Sequence, residues 1–220
     1  MTERAYRSLR HDIMSGILEP DTPLRVEHLK KQLGVGSSPI REALSRLAAE
    51  GLVVSELNRG FRVPVVTYDD LRDIVAQRKL IECNTLREAI LNSDEQWEAE
   101  VIAAYHRMTK VEERGLAEGL NPWEEWEERH REFHEALMSG AGSTWASKML
   151  RQLYDQGDRY RRIYRSDAFI VPCIQNDHKL ILDAVLARDV DAALAAMGNH
   201  VERLNEGADK STGPHLKPDN

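Results

Sequence analysis

The stretch from Leu24 to Pro64, LRVEHLKKQLGVGSSPIREALSRLAAEGLVVSELNRGFRVP, constrains the fold of this 220-residue chain more than any other. Val26, Leu29 and Leu33 have the spacing of one helix face, and Gly34 follows as a stop signal. Ser37 or Ser38 is expected to cap the next helix, with Pro39 in its first turn. In that helix Ile40, Ala43, Leu44, Leu47 and Ala48 form an apolar stripe, which leaves Ser38, Arg41, Glu42 and Ser45 facing outward. Gly51 ends it. Leu52–Leu57 and Phe61–Pro64 then read as strands around the turn-prone Asn58-Arg59-Gly60. Two short helices across a glycine turn, followed by a hairpin, describe a winged helix-turn-helix, which offers its second helix to the major groove of DNA.

Upstream, Tyr6, Leu9, Ile13 and Met14 predict a helix over residues 4–15, closed by Gly16 and followed by a loop at Leu18–Pro23. Beyond a short join near Val65–Tyr68 the pattern is wholly helical. Helices are expected at about 68–92, 94–118, 121–139, 143–165, 174–188 and 190–206, with Pro172 separating two of them. Asp69 or Asp70, Ser93, Asn121, Ser143 and Asp189 are the expected caps. Short connections favour antiparallel neighbours. The fold class is therefore mainly α, a winged helix-turn-helix followed by an antiparallel all-helical bundle. The expected domains are 1–66, 67–206 and a disordered tail over 207–220.

Net charge is −7, unusual for a DNA binder, but it is unevenly spread. Residues 1–64 hold 10 Lys/Arg against 8 Asp/Glu, and the remainder holds 20 against 29. A slightly basic head on an acidic body follows. No apolar run reaches the roughly 18 residues of a membrane span, and the N-terminus has no signal-peptide core. Cys83 and Cys173 form no motif and read as free thiols of a reducing cytosol, so a cytoplasmic location is expected.

GVGSSPIREALSRLAAEGLV with the RGFRV hairpin resembles the GntR family of bacterial transcription regulators, and GILEPDTPL resembles that family's Gly-x-Leu-x-Pro-Gly-x-x-Leu loop. The resemblance covers residues 5–65. It implies that Ser38 and Arg41 meet DNA from the recognition helix and that Arg59 and Gly60 form the wing tip. Arg41 is suited to phosphate or to a bidentate contact with guanine, or else to a salt bridge with a neighbouring helix. Ser37 and Arg46 are further candidates, Arg46 being equally readable as a solvated surface residue. Gly36-Ser37 replaces the family's Ser-Arg, and Glu27 stands where some relatives carry a DNA-contacting Arg. The operator preferences of relatives therefore do not transfer.

In the body, His130 and His134 lie four residues apart on the stripe of Trp126, Phe133 and Leu137. His178 shares a stripe with Ile174, Ile181, Leu182 and Val185, and His200 with Ala193, Met197, Val201 and Leu204. Each alone reads as a core histidine, but together they send four imidazoles inward. QRKLIE at 77–82, HREFHEAL at 130–137 and NDHKLILDAVLARDVDAALAAMGNHVERL at 176–204 resemble the FCD ligand-binding domain of FadR-type GntR regulators. In that family an Asp and three His hold a divalent metal beside a carboxylate effector. The resemblance implies ligands at His134, His178 and His200, with His130 in place of the usual Asp. All-histidine ligation favours Zn²⁺ or Ni²⁺ over Mg²⁺ or Ca²⁺. The alternatives are that His130 contacts the effector instead, or that the pocket is polar and metal-free. Arg78, inward on the stripe of Leu71, Ile74, Val75, Ile81 and Thr85, reads as a carboxylate clamp or as the partner of Glu82. LYDQGDRYRRIY resembles FCD regulators of dicarboxylate catabolism and offers Arg161 as a second clamp, or as a solvated cation.

The leading expectation is a homodimeric transcription repressor, not an enzyme, whose binding to a palindromic double-stranded operator responds to a small carboxylate. A metal-responsive regulator is the alternative. A metal-dependent hydrolase is a remote one, because no carboxylate is clearly placed near His134 as a general base.

Overall fold

Three helices and a small sheet share one apolar core in the N-terminal part of the chain. The computed structural model describes residues 1–56, 60–118, 122–164, 171–209 and 216–217. Helices α1 (Thr2–Met14), α2 (Val26–Leu33) and α3 (Ser37–Ala49) each bury one stripe: Ala5, Leu9 and Ile13; Leu29; and Ile40, Ala43, Leu44 and Leu47. The three-to-four-residue spacing of those residues is what lets a single face of each helix leave water. Gly34 takes φ +62° at the end of α2, a left-handed conformation that turns the chain towards α3. The expected serine cap of α3 is corrected. Gly36 is the N-cap, and Ser37 Oγ lies instead 3.5 Å from Glu27 Oε1.

The sheet runs β1-β3-β2, with β1 (Pro23–Leu24), β2 (Val54–Glu56) and β3 (Gly60–Arg62) paired antiparallel through Pro23↔Arg62 and Ser55↔Phe61. The hairpin strands are shorter than expected, and β1 forms at the end of the expected loop. Leu57–Arg59 lie outside the described residues, and with them the expected wing contact Arg59. Asp21 occupies the glycine position of the family loop and has φ +70°. A short polar side chain tolerates that conformation, and here it also receives Arg62 Nη1 at 2.9 Å.

The chain divides into two units. One holds Met1–Arg72, Asp155–Tyr164 and the strand β5 (Leu216–Lys217), which pairs parallel with β4 (Val66–Thr67). The segment expected to be a disordered tail thus contributes a strand, and α9 runs on to Asp209. Within this unit Arg10 meets Asp155 at 2.7 Å, and Gln156 and Arg159 donate to the carbonyls of Gly51 and Pro64. The fully buried Tyr160 hydroxyl accepts from the Thr67 N–H and donates to Asp70.

The other unit is built from α4 (Tyr68–Asn92), α5 (Glu95–Glu118), α6 (Trp123–Ser139), α7 (Thr144–Tyr164), α8 (Val171–Leu186) and α9 (Val190–Asp209), with the first residues of α4 and the last of α7 in the first unit. α5 packs along α6 and α8, and α8 along α9. Ser143 and Asp189 cap α7 and α9 as expected, by accepting from the N–H groups of Ala146 and Ala192. Thr67 and Asp94 take the cap roles expected of Asp69 or Asp70 and of Ser93. Asn121 lies outside the described residues. Pro172 does not separate helices. It lies in the first turn of α8, where a missing N–H costs no helical hydrogen bond. Gly140 is required by a close approach, since a Cβ there would lie 2.0 Å from Ser93 Oγ. No helix among the described residues is long and apolar enough to cross a membrane.

Leu44 is fully buried in the α1–α3 core. Leu44→Ala is expected to destabilise the winged helix by about 2–5 kcal/mol, read as a lower denaturant midpoint for this unit.

Candidate DNA-reading surface and histidine centre

The outward face of α3 is set by the burial of its opposite face. Ser38, Arg41, Glu42 and Ser45 are exposed, as the periodicity requires, and Ser37 is half-buried. Arg41 makes no hydrogen bond or ion pair with the described residues, so its five N–H donors face solvent. Arg41 shares a shallow groove with Arg25, Glu27, Gly60, Phe61 and Arg62. Gly60, at φ +93°, begins the wing strand there. Arg62 is engaged by Asp21 and Glu56, whereas Arg25 is exposed. Sequence reasoning missed Arg25, because a residue at the N-cap of α2 belongs to no helical stripe. Arg46 is already occupied: it pairs with Glu3 at 3.0 Å and lies 3.9 Å above the Tyr6 ring, fastening α3 to α1.

In the second unit the four predicted histidines come together. α6 supplies His130 and His134, α8 supplies His178 and α9 supplies His200, all buried. One ligand atom from each lies within 4.8 Å of the others. His134 Nε2 and His200 Nε2 are 3.1 Å apart. Two nitrogens bound tetrahedrally at about 2.0–2.1 Å would stand roughly 3.3 Å apart, so the donor set fits a borderline divalent ion such as zinc. Trp126 stacks on His130 at 4.7 Å, and its indole N–H is held by the buried Glu112 carboxylate at 2.8 Å.

α4 adds a buried chain of polar groups. Arg78 Nε donates to Glu82 Oε1 at 2.7 Å, and Glu82 Oε2 is 3.2 Å from His134 Nδ1. Of the two readings of Arg78, the pairing with Glu82 is the one present. Burial alone would raise the Glu82 carboxyl, but the Arg78 charge and then the hydrogen bond with His134 outweigh it and hold it at about 2. An ionised Glu82 accepts the Nδ1 proton and leaves the Nε2 lone pair of His134 facing the cluster, the tautomer that ligation needs. A carboxylate does therefore approach His134, contrary to expectation. It meets the ring nitrogen on the far side from the cluster, so it orients the ring and has no place as a base at a metal.

Tyr154 of α7 completes the surroundings. Its ring meets His134 edge-on at 6.0 Å, with the guanidinium groups of Arg78 and Arg131 at 5.0 and 6.0 Å from its centroid. Burial, and then the Glu82 charge, push its phenol well above the ordinary value, so it is a neutral O–H donor. Sequence reasoning missed Tyr154, which stands in a stretch of α7 rich in polar residues. Arg161, the expected second clamp, lies in the first unit and pairs with Asp158.

A winged helix with an open cationic groove, followed by a helical body with a buried ligand-type cluster, defines a DNA-binding regulator with a sensing domain. The comparisons agree. Residues 1–63 match the model of the bacterial regulatory proteins of the gntR family, and residues 73–203 match the FCD domain. The chain is 37% identical to the HTH-type transcriptional regulator BphR of Paraburkholderia xenovorans, over 92% of this chain and 82% of BphR. It is 36% identical to the HTH-type transcriptional repressor GlaR of Escherichia coli, over 89% of this chain and 90% of GlaR. In fold it is similar to the crystal structure of a GntR transcriptional regulator from Rhodococcus sp. RHA1, with TM-score 0.76 at 23% identity over 95% of this chain and 98% of that one. The chain belongs to the gntR family of bacterial transcription regulators, with an FCD domain as its second part. It is a transcription regulator and not an enzyme, which retires the hydrolase alternative.

Glu82→Gln removes the counter-charge of a buried guanidinium. It is expected to cost about 3–5 kcal/mol in chemical denaturation, and a paired replacement of Arg78 and Glu82 by apolar residues is expected to recover most of that loss.

Proposed function

We propose that the protein is a homodimeric repressor that binds a palindromic operator through two winged heads and responds to a small organic acid held at the histidine cluster. The observation that carries this reading is the convergence of four buried imidazoles, on the same chain as a winged helix whose Arg41 is free for DNA. Two copies related by a two-fold axis would read two half-sites about one helical turn apart. The repressor assignment is supported by the relatives named repressors, GlaR and RspR among them.

His130, His134, His178 and His200 would hold the metal, Zn²⁺ or Ni²⁺ by donor type. When bound, the cation supplies a positive charge that attracts a carboxylate. Glu82 orients His134, and Trp126 and Phe133 keep the neighbouring space apolar. Arg78, its charge largely balanced by Glu82, contributes cationic field rather than a free fork. An acid that prefers one arrangement of the two heads shifts the population competent for DNA by its difference in affinity for the two states.

One observation favours a second reading. Four imidazoles alone can fill a tetrahedral shell, which would make the metal itself the signal. Operator affinity that changes with Zn²⁺ or Ni²⁺ in the absence of any acid, and is insensitive to carboxylates, would select that version.

Two measurements test the proposal. The purified protein should carry close to one zinc or nickel per chain by elemental analysis, and His200→Ala should lower that content sharply while leaving the winged helix folded. In mobility shifts against the DNA flanking its own gene, Arg41→Ala should weaken binding by about 1–3 kcal/mol if it reads a base, or flatten the salt dependence by about one unit of slope if it contacts phosphate. Absence of DNA binding at low salt, with or without acids, would defeat the whole reading.

A further inference from the structure

Residues 1–64 carry 10 Lys and Arg, and Arg59 among them lies outside the described residues. Most of the rest are engaged inside the fold. Arg7 and Arg46 meet Glu3, Arg10 meets Asp155, Lys30 meets Glu27, Arg62 meets Asp21, and Arg4 donates to the Leu33 carbonyl. Arg25, Lys31 and Arg41 make no hydrogen bond or ion pair among the described residues. All three are exposed, and all three belong to the helix-turn-helix. Arg25 is the N-cap of α2, Lys31 stands on α2 on the face away from the buried Leu29, and Arg41 stands on α3.

These cations also share a surface. Arg25 lines the groove that holds Arg41 and Gly60, and it lines a second shallow groove with His28, Lys31 and Gln32. Glu27, the carboxylate common to both grooves, is met by Lys30 at 3.6 Å. The strip therefore runs from the recognition helix across the start of α2 and along its outer face. A duplex whose major groove receives α3 brings its sugar-phosphate backbone across the neighbouring helix. α3 by itself has little with which to hold that backbone. Its Arg46 is engaged by Glu3 and Tyr6, which leaves Arg41 as the uncommitted cation of that helix.

We propose that Arg25 and Lys31 anchor the phosphate backbone of the operator and supply sequence-independent affinity, while α3 reads the bases. The ligand class follows from the chemistry. An exposed guanidinium and an exposed ammonium without partners of their own recognise phosphate by charge, and such contacts set register on the duplex without carrying sequence information. The assignment rests on the DNA-binding reading above and adds to it the residues that hold the backbone. It requires a cation at position 25 rather than a planar fork, so lysine serves there as arginine does. Each anchor neutralises one phosphate and releases its counterion, and so contributes about 0.9 to the slope of log affinity against log salt.

The test compares full-length wild type with Arg25→Ala, Arg25→Lys, Lys31→Ala and a control, Arg7→Ala, which removes the same charge from α1. Affinity is followed by fluorescence anisotropy between about 50 and 200 mM salt, on the DNA flanking the protein's own gene and on an unrelated duplex of equal length. Arg25→Ala and Lys31→Ala should each weaken binding to both duplexes alike, about tenfold at about 0.1 M salt, and lower the slope by about one per head bound. Arg25→Lys should restore both quantities, and Arg7→Ala should change neither. Slopes equal to that of wild type in both alanine variants of α2 would overturn the assignment while the DNA-binding reading stands. So would a loss confined to the flanking DNA, which marks a base reader, or an equal loss in Arg7→Ala, which marks an effect of net charge. A lowered denaturant midpoint in Arg25→Ala or Lys31→Ala would show that the side chain holds the fold, and overturns the assignment too. A wild type that binds neither duplex at low salt would overturn the DNA-binding reading, and this assignment with it.

Discussion

Glu82 is a carboxylate with no exposure inside the helical bundle, and such a group persists as a charge only where cations and hydrogen-bond donors meet it. Arg78 meets one oxygen and His134 the other. The first contact lies within α4, one turn apart. The second reaches α6 and fixes the angle of the His134 ring. His130, one turn earlier on α6, shares that buried face, and α8 and α9 bring His178 and His200 to the same place. Much of the body's specificity thus rests on a polar requirement, with the helices supplying the apolar surface around it.

The head is held by different physics. Its core is aliphatic, and its cations are divided between two tasks. Arg46 and Arg62 are committed to neighbours within the fold, while Arg41 and Arg25 remain facing solvent. In a chain of net charge −7 the head cannot rely on a general positive field. Its attraction to DNA is local, and two heads acting together in the proposed dimer would be the natural way to reach adequate affinity.

Much of this was legible in the sequence because helical periodicity is local. The stripe of Ile40, Ala43, Leu44 and Leu47 named the inward face of α3, and hence the exposed position of Arg41, before any coordinates. The inward positions of all four histidines followed from the same rule. What failed was decided by contacts between distant segments or by single backbone angles. β1 exists because Phe61 and Arg62 offer it a partner, which Pro23 and Leu24 do not announce. Thr67 displaces Asp69 and Asp70 as a cap because it stands one residue before α4 begins at Tyr68, where its hydroxyl accepts the Asp70 N–H. Pro172 suggests a break by sequence, although proline is equally at home in a first turn, where it lies in α8.

The sequence by itself determined the family, the winged head, the helical body and the inward positions of the four histidines, because each is written in spacings of a few residues or in motifs along the chain. Only the tertiary structure decided what those residues do to one another. It paired Arg78 with Glu82, turned Glu82 towards the ring of His134, committed Arg46 to Tyr6 and Glu3, and buried Tyr154 edge-on against His134. Those outcomes depend on which side chains meet across helices many residues apart, where the competition among burial, charge and hydrogen bonding is settled by distance.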